Sequence, residues 1–318
     1  MKKLKVAVLD DYQNVTHHFA NWETLSEKIE LKVFNEYIGD DPQLSEKLSD
    51  YDVLCLMRER TPLPGTLINK LPNLKLVITS GMWNASVDSE TLKGKNIIYC
   101  GTETKIHSTA ELAWALIMNS WRGLQTEIEN MKDGNWQTTI GRGLKGNTLG
   151  VFGLGKQGLQ VVDYAKAFGM KVIAWSHNLK QEACEKVGVE YVSSTDLFKM
   201  SDILTIHTRL SDRTIGYVDK NKINLMKKGS VIVNTSRGPI IKEQDLIDAL
   251  NNDVISCAAL DVYDQEPLPK DHILRKTKNL ILTPHIGYVS EEAYEKFFNG
   301  YLKAIEGFIE KKPVNQIS

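Results

Sequence analysis

Apolar residues along the chain gather into short continuous runs, separated by longer stretches in which polar and apolar positions alternate at helical spacing. In the first third the runs fall at 5–9, 31–34, 53–57, 74–79 and 96–100. Strand-length runs spaced by helical lengths predict βα units and a parallel sheet. From 147 the pattern resumes with runs at 149–152, 171–175, 189–192 (the weakest), 203–207, 230–234, 255–260 and 280–283. Unbroken β-branched triplets such as Val231-Ile232-Val233 predict strands covered on both faces. Between the two halves, residues 108–122 are apolar nearly all round, which predicts a helix buried between two domains. Ser108 and Glu111 stand at its start in the spacing of a capping box. The polar stretch 133–146 reads as a surface connection. Residues 290–312, with Ser290 before Glu291 and Glu292, predict a capped amphipathic helix that returns to the first half. The expected fold class is α/β, with two doubly wound parallel-sheet domains. A discontinuous domain, 1–103 plus 286–318, is expected against a second at 104–285.

One stretch organises the second half. The run 149–152 ends in Gly153-Leu154-Gly155-Lys156-Gln157-Gly158, then comes a helix-like segment, 159–168, and then the run 171–175. Strand, glycine turn, helix and strand in that order predict a Rossmann dinucleotide-binding unit. Its first glycine allows the tight turn, its second lets a pyrophosphate approach the backbone, and its third lets helix and strand pack closely. Gly153, Gly155 and Gly158, with Lys156 and Gln157 opening the helix, are therefore cofactor-binding candidates, and the helix N-terminus favours anionic phosphate. The first strand offers no such turn. It ends in Asp10-Asp11-Tyr12, which would repel phosphate.

Composition narrows the classes. The 318 residues leave room for two cores. A net charge of −1 gives no general attraction to nucleic acid or an anionic membrane. Residues 1–5 carry three lysines, yet only 6–9 are apolar before Asp10 and Asp11, too few for an export signal. No stretch approaches a membrane span. Cys55, Cys100, Cys184 and Cys257 are scattered without a C-x-x-C, as expected for reduced, buried thiols in a cytoplasmic protein. No His, Cys or Asp cluster has metal-ligand spacing, so no metal is expected.

Three chemically capable residues stand just past strand ends in the second half: Arg237 after 230–234, Glu266 after 255–260 and His285 after 280–283. In a parallel sheet all three face the same edge as the glycine turn. A guanidinium, a carboxylate and an imidazole would then meet beside the cofactor.

At this point the chain resembles the D-isomer-specific 2-hydroxyacid dehydrogenase family over nearly its whole length. The resemblance rests on Ser-Thr-Ala-Glu-Leu at 108–112, the glycine turn, Asn234-Thr235-Ser236-Arg237-Gly238, Leu260-Asp261-Val262-Tyr263 through Glu266-Pro267, and Thr283-Pro284-His285-Ile286-Gly287. It implies a flavodoxin-like substrate domain beside the Rossmann domain and a cleft between them. It implies hydride transfer between a nicotinamide cofactor and a 2-keto/2-hydroxy acid pair. His285 would be acid and base with Glu266 orienting it, and Arg237 would hold the substrate carboxylate and carbonyl. The loop Gly81-Met82-Trp83-Asn84 would bring further backbone donors to the substrate carboxylate, with Met82 and Trp83 bulkier than many relatives have there. Thr109, His207, Thr208, Thr235 and Asp261 would touch the cofactor, Asp261 at its carboxamide. Relatives are commonly homodimers, and the helix 108–122, with Trp114 and Trp121, offers a surface for pairing.

The chain departs from the pattern at the end of the 171–175 strand, where NAD-dependent relatives place an acid for the ribose 2′-hydroxyl. Here Ser176, His177 and Asn178 follow Trp175, with Lys180 near. Removing the carboxylate removes its repulsion of a 2′-phosphate, which leans the choice to NADP. No arginine stands at the strand end, so NAD held without a carboxylate remains open. Some relatives are non-enzymatic NAD-binding corepressors, which keeps a dinucleotide sensor as the rival to an enzyme. Formate oxidation, a third reading, needs no proton donor paired with a glutamate.

Overall fold

The computed structural model describes residues 2–103 and 107–317. The chain divides into two compact units, Met1–Ile106 with Val289–Ser318, and His107–Tyr288.

The first unit holds five strands: β1 (Leu4–Val8), β2 (Ile29–Val33), β3 (Val53–Leu56), β4 (Leu76–Thr79) and β5 (Ile98–Gly101). They form an all-parallel sheet in the order β2-β1-β3-β4-β5. This is a doubly wound order whose switch point lies between β1 and β3. Every residue of β3 and β4 is buried, whereas the edge strand β2 alternates buried and open positions. That difference is the one expected between a covered central strand and an edge. The helix Glu291–Ile309 belongs to this unit. Ser290 caps it, its hydroxyl accepting from the Ala293 nitrogen at 3.3 Å, and Tyr301 donates to the Leu56 carbonyl at 2.9 Å. A stripe of Tyr294, Phe297, Phe298, Tyr301 and Ile305 holds it against the sheet.

At the end of β1, Asp10 takes a left-handed φ of 61° and is fully buried. Burial pushes its carboxyl up to about 6, with Thr61, Arg60 and Tyr12 opposing the shift. Asp11 accepts from the Val15 and Thr16 nitrogens and the Thr16 hydroxyl. Asp11 therefore builds its own loop.

The second unit holds seven strands: β6 (Thr148–Phe152), β7 (Lys171–Trp175), β8 (Glu190–Tyr191), β9 (Ile203–Ile206), β10 (Val231–Asn234), β11 (Cys257–Leu260) and β12 (Leu280–Leu282). They too are all parallel, in the order β12-β11-β10-β9-β6-β7-β8. The sheet is apolar on both faces, and the strands show why their sequence runs are unbroken. Val231 and Val233 pack on one face with Leu149, Val151 and Ala259, while Ile232 packs on the other with Phe152, Leu204 and Ala258. The helix Ser108–Arg122 lies on the first of these faces through Ala110, Ala113, Leu116, Ile117 and Trp121.

Two expectations for that helix change. Its N-cap is His107, without a side-chain cap, and the Ser108 hydroxyl lies inside the first turn, so the capping box does not form. Trp121 is buried and serves the core of its own unit, whereas Trp114 is half-buried, packing on Tyr164 and Phe168. The exposed apolar side chains come later, at Leu124, Ile128 and Met131 of the helix Leu124–Lys132, and at Trp136 and Ile140 beyond it. Burial pushes up the thiols of Cys55, Cys100, Cys184 and Cys257, which leaves them poor nucleophiles. Among the described residues, no helix is long and apolar enough to cross a membrane.

Candidate active site

The switch point of the second sheet lies between β6 and β9, and the glycine turn sits there. Gly153 has φ 106°, and a side chain on it would stand 2.7 Å from the Thr208 nitrogen just past β9. Gly158 faces the turn so closely that its side chain would meet the Gly153 carbonyl at 2.2 Å. Gly155 differs: a side chain there would meet no protein atom within 4 Å. It is the N-cap of the helix Lys156–Ala167, which begins three residues before the 159–168 segment read from the sequence. The first and third glycines thus close the fold on itself, and the second leaves the space into which a ligand phosphate fits, against a helix N-terminus with free N–H groups.

From this turn a row of loops runs along the carboxyl edge, each touching the next. His207, past β9, is buried and its Nε2 pairs with the Thr205 hydroxyl at 2.9 Å. Burial pulls its pKa down to about 4, so the ring is neutral at physiological pH. The Thr208 carbonyl accepts from the Ser236 hydroxyl, tying the β9 loop to the β10 loop. The Asn234 side chain shapes the β10 loop, taking the Ser236 nitrogen at 3.0 Å and donating to the Arg237 carbonyl at 2.9 Å. Arg237 Nη1 donates to the Ser236 carbonyl at 2.7 Å. Gly238 then packs on the β11 loop, where a side chain would stand 2.1 Å from the Tyr263 carbonyl carbon. Tyr263 reaches the β12 loop, its hydroxyl donating to the Thr283 carbonyl at 2.8 Å.

At the end of the row Glu266 and His285 meet. Glu266 Oε2 pairs with His285 Nδ1, and Glu266 Oε1 accepts from the Tyr263 nitrogen at 2.9 Å. The imidazole edge meets Tyr288 at 5.4 Å between ring centroids. The contact at Nδ1 fixes the orientation of the ring. His285 sits at φ 51°, a conformation histidine tolerates better than most residues. Its loop is held by Asp261, whose buried carboxylate accepts from the Thr283 hydroxyl at 2.6 Å, the Ile286 nitrogen at 2.8 Å and the Gly287 nitrogen at 2.9 Å. Burial raises the Asp261 pKa, and these donors oppose the rise. Asp261 is thus first an anchor for the histidine loop. A side chain on Gly287 would stand 3.2 Å from both Asp261 and Thr109, which places Thr109 at the same point.

Strands lie about 4.8 Å apart, so the four intervals from β6 to β12 set the glycine turn roughly 19 Å from the histidine strand. Between them the buried His207 Nδ1, Thr235 Oγ1 and Ser108 Oγ have no protein partner. Orphaned polar atoms along an edge that starts at a phosphate-shaped turn fit the amide and hydroxyl groups of a dinucleotide.

Other candidates are placed differently. Asn84 is buried, donating to the Arg58 carbonyl and the Thr79 hydroxyl and accepting from Ser86, so it organises its own loop. The Gly81 nitrogen donates to the Thr102 hydroxyl at 2.9 Å and is not a spare donor. Met82 and Trp83 are open, at 44% and 62% exposure. At the end of β7, Ser176 is half-buried and His177 and Asn178 are exposed. The His177 ring lies 4.9 Å from both the Trp175 and Tyr217 rings. The sequence reading missed Arg213, which comes from the β9 loop to donate to Asn178 Oδ1 at 3.4 Å. The two residues are 35 positions apart, so no local signal could have paired them.

A glycine turn with open space at its second glycine stands at one end of the edge, and the His285–Glu266 pair at the other, an arrangement that fits a nicotinamide-dependent oxidoreductase. Residues 114–287 match the family model described as D-isomer specific 2-hydroxyacid dehydrogenase, NAD binding domain. The chain is 30% identical to a hydroxypyruvate reductase of Blautia hydrogenotrophica over 99% of its own length and 100% of that protein's. It is 38% identical to a D-3-phosphoglycerate dehydrogenase of Methanocaldococcus jannaschii over 79% of its own length, and spans only 48% of that relative. A crystal structure of a phosphoglycerate oxidoreductase from Vibrio cholerae superposes with a TM-score of 0.90 at 33% identity, covering 97% of this chain and 99% of the other. The chain belongs to the D-isomer specific 2-hydroxyacid dehydrogenase family.

Proposed function

We propose that the chain reduces a 2-keto acid to the D-2-hydroxy acid, and runs the reverse oxidation, with His285, Glu266 and Arg237 as its working side chains. The observation that carries this reading is the His285–Glu266 pair on the same sheet edge as the glycine turn. When bound, the nicotinamide supplies or accepts the hydride at the substrate's C2. Arg237 holds the carboxylate and the carbonyl oxygen with its planar fork, and its charge opposes the negative charge that develops on that oxygen. His285 delivers a proton from Nε2 to the oxygen, completing the alcohol, and in the reverse direction takes it back. Glu266 keeps the imidazole turned so that Nε2 faces the substrate. Gly153, Gly155 and Gly158 with the first turn Lys156–Gln157 would hold the pyrophosphate. Thr109, His207, Thr208 and Thr235 would meet the rest of the dinucleotide, and Met82 and Trp83 are the substrate-side candidates of the first unit.

The reading takes NADP(H) over NAD(H), because Ser176, His177 and Asn178 end β7 without a carboxylate. It also takes a homodimer, supported by the exposed apolar run from Leu124 to Ile140. Sedimentation at twice the 35.9 kDa chain mass is the expected result, and a monomer at all concentrations refutes that part.

The test is the oxidation of NADPH and NADH, side by side, with glyoxylate, hydroxypyruvate, pyruvate and phenylpyruvate. Turnover with at least one acid, faster with NADPH, is expected. If both cofactors bind and none of the acids oxidises either, a dinucleotide sensor replaces the enzyme.

A further inference from the structure

We propose that Arg213, assisted by Lys222 and the Ser176 hydroxyl, forms the binding site for the 2′-phosphate monoester of the cofactor's adenosine. The inference rests on the reading of NADP(H) as cofactor and names the residues that make the choice. The strand that ought to carry the discriminating group, β7, ends in Trp175-Ser176-His177-Asn178 and offers no arginine of its own. The fold supplies one from elsewhere. Arg213 stands on the loop after β9, yet its guanidinium donates to Asn178 Oδ1 at 3.4 Å, which sets it against the turn at the end of β7.

A second cation approaches the same spot. Lys222 Nζ lies 4.2 Å from the centre of the Tyr217 ring, and Tyr217 stacks on Trp175 at 5.3 Å with the rings 17° from parallel. His177 meets both of those rings, and its pKa is lowered by burial first and then by Arg213 and Lys222. The two cations, one from the loop after β9 and one from the helix Lys220–Ile223, therefore bear on one point, and the charges acting on His177 there are both positive. Asp219 lies 3.9 Å from Lys222 and offsets part of its charge, while Arg213 is held by the Asn178 amide oxygen. An exposed arginine held by an amide oxygen, rather than by a carboxylate, remains available to a dianionic phosphate. The pair could not be held this way beside an aspartate at the end of β7, which would take the guanidinium for itself and repel the phosphate.

The probes are 2′,5′-ADP and 5′-AMP, which differ only in the 2′-phosphate, titrated calorimetrically into the full chain and into Arg213→Ala. The unaltered chain is expected to bind 2′,5′-ADP more tightly than 5′-AMP by roughly tenfold to a hundredfold, the range of one or two charge-assisted hydrogen bonds. In Arg213→Ala the preference is expected to fall about tenfold with 5′-AMP affinity unchanged, and Arg213→Lys should restore part of it. If the unaltered chain shows no preference, the NADP(H) reading fails and this inference with it. If the preference is present and Arg213→Ala keeps it, the NADP(H) reading stands and the assignment to Arg213 is overturned.

Discussion

Glutamine in place of His285 is expected to lower 2-keto acid turnover by about 10²–10⁴-fold, the usual contribution of a positioned acid–base group. Glutamine's amide can still hydrogen-bond to the Glu266 carboxylate, so the pocket stays occupied, but it cannot deliver a proton to the forming alkoxide. Cofactor affinity should be unchanged, because His285 stands four strands from the glycine turn and shares no hydrogen bond with it. One complication has a structural remedy. His285 sits at φ 51°, where most side chains cost roughly 1–2 kcal/mol. Asparagine tolerates that conformation well, so His285→Asn separates loss of the proton donor from backbone strain. Turnover should fall to a similar level in both variants. Full activity in either, with the loop intact by its thermal midpoint, would remove His285 from the mechanism. A further variant, Asp261→Asn, should leave the imidazole chemistry in place but loosen the loop that three donors hold.

Much of this arrangement was legible before any coordinates, and the physical reason is parallel topology. Once every strand runs the same way, any residue just past a strand end lies on one edge, so Arg237, Glu266 and His285 could be grouped without knowing the strand order. The glycine turn was legible because its three glycines answer to local geometry: a positive φ, an open approach and a close helix contact. What the sequence hid depends on contacts between distant positions. Asn84 and Gly81 look like ligand donors until Arg58, Thr79 and Thr102 are seen to occupy them. Asp261 follows a buried strand and invites a cofactor role, yet its nearest donors belong to the loop that carries His285. Ser108 and Glu111 have capping-box spacing, but the helix starts one residue too early for the serine to cap it. Trp114 and Trp121 illustrate the limit of hydropathy. A helix apolar on most sides shows that it is buried, not which neighbours bury it. The missing arginine at β7 is the same lesson in reverse, since Arg213 reaches that turn from another strand's loop.

The glycine turn gives a second large effect, and the three glycines predict it differently. Gly155→Ala should leave the chain folded. Its φ of −88° and ψ of −165° suit any residue, and the added methyl meets no protein atom within 4 Å. Losing the glycine N-cap should cost under about 1 kcal/mol. The same methyl stands where a pyrophosphate has to reach the helix N–H groups, so dinucleotide affinity should drop by about 100-fold, the equivalent of one or two charge-assisted hydrogen bonds. Gly158→Ala should do the opposite. Its methyl would lie 2.2 Å from the Gly153 carbonyl and 3.3 Å from Val151, so helix and turn must separate. A cost of about 1–3 kcal/mol in unfolding free energy is expected, as for an overpacked core. Denaturant midpoints and fluorescence titration of NADPH on the two variants distinguish the cases. Gly155→Ala that binds NADPH as tightly as the unaltered chain would show that the phosphates do not lie against this helix. Gly155→Ala that loses stability as Gly158→Ala does would show that the space beside Gly155 is needed by the protein itself and not by a ligand.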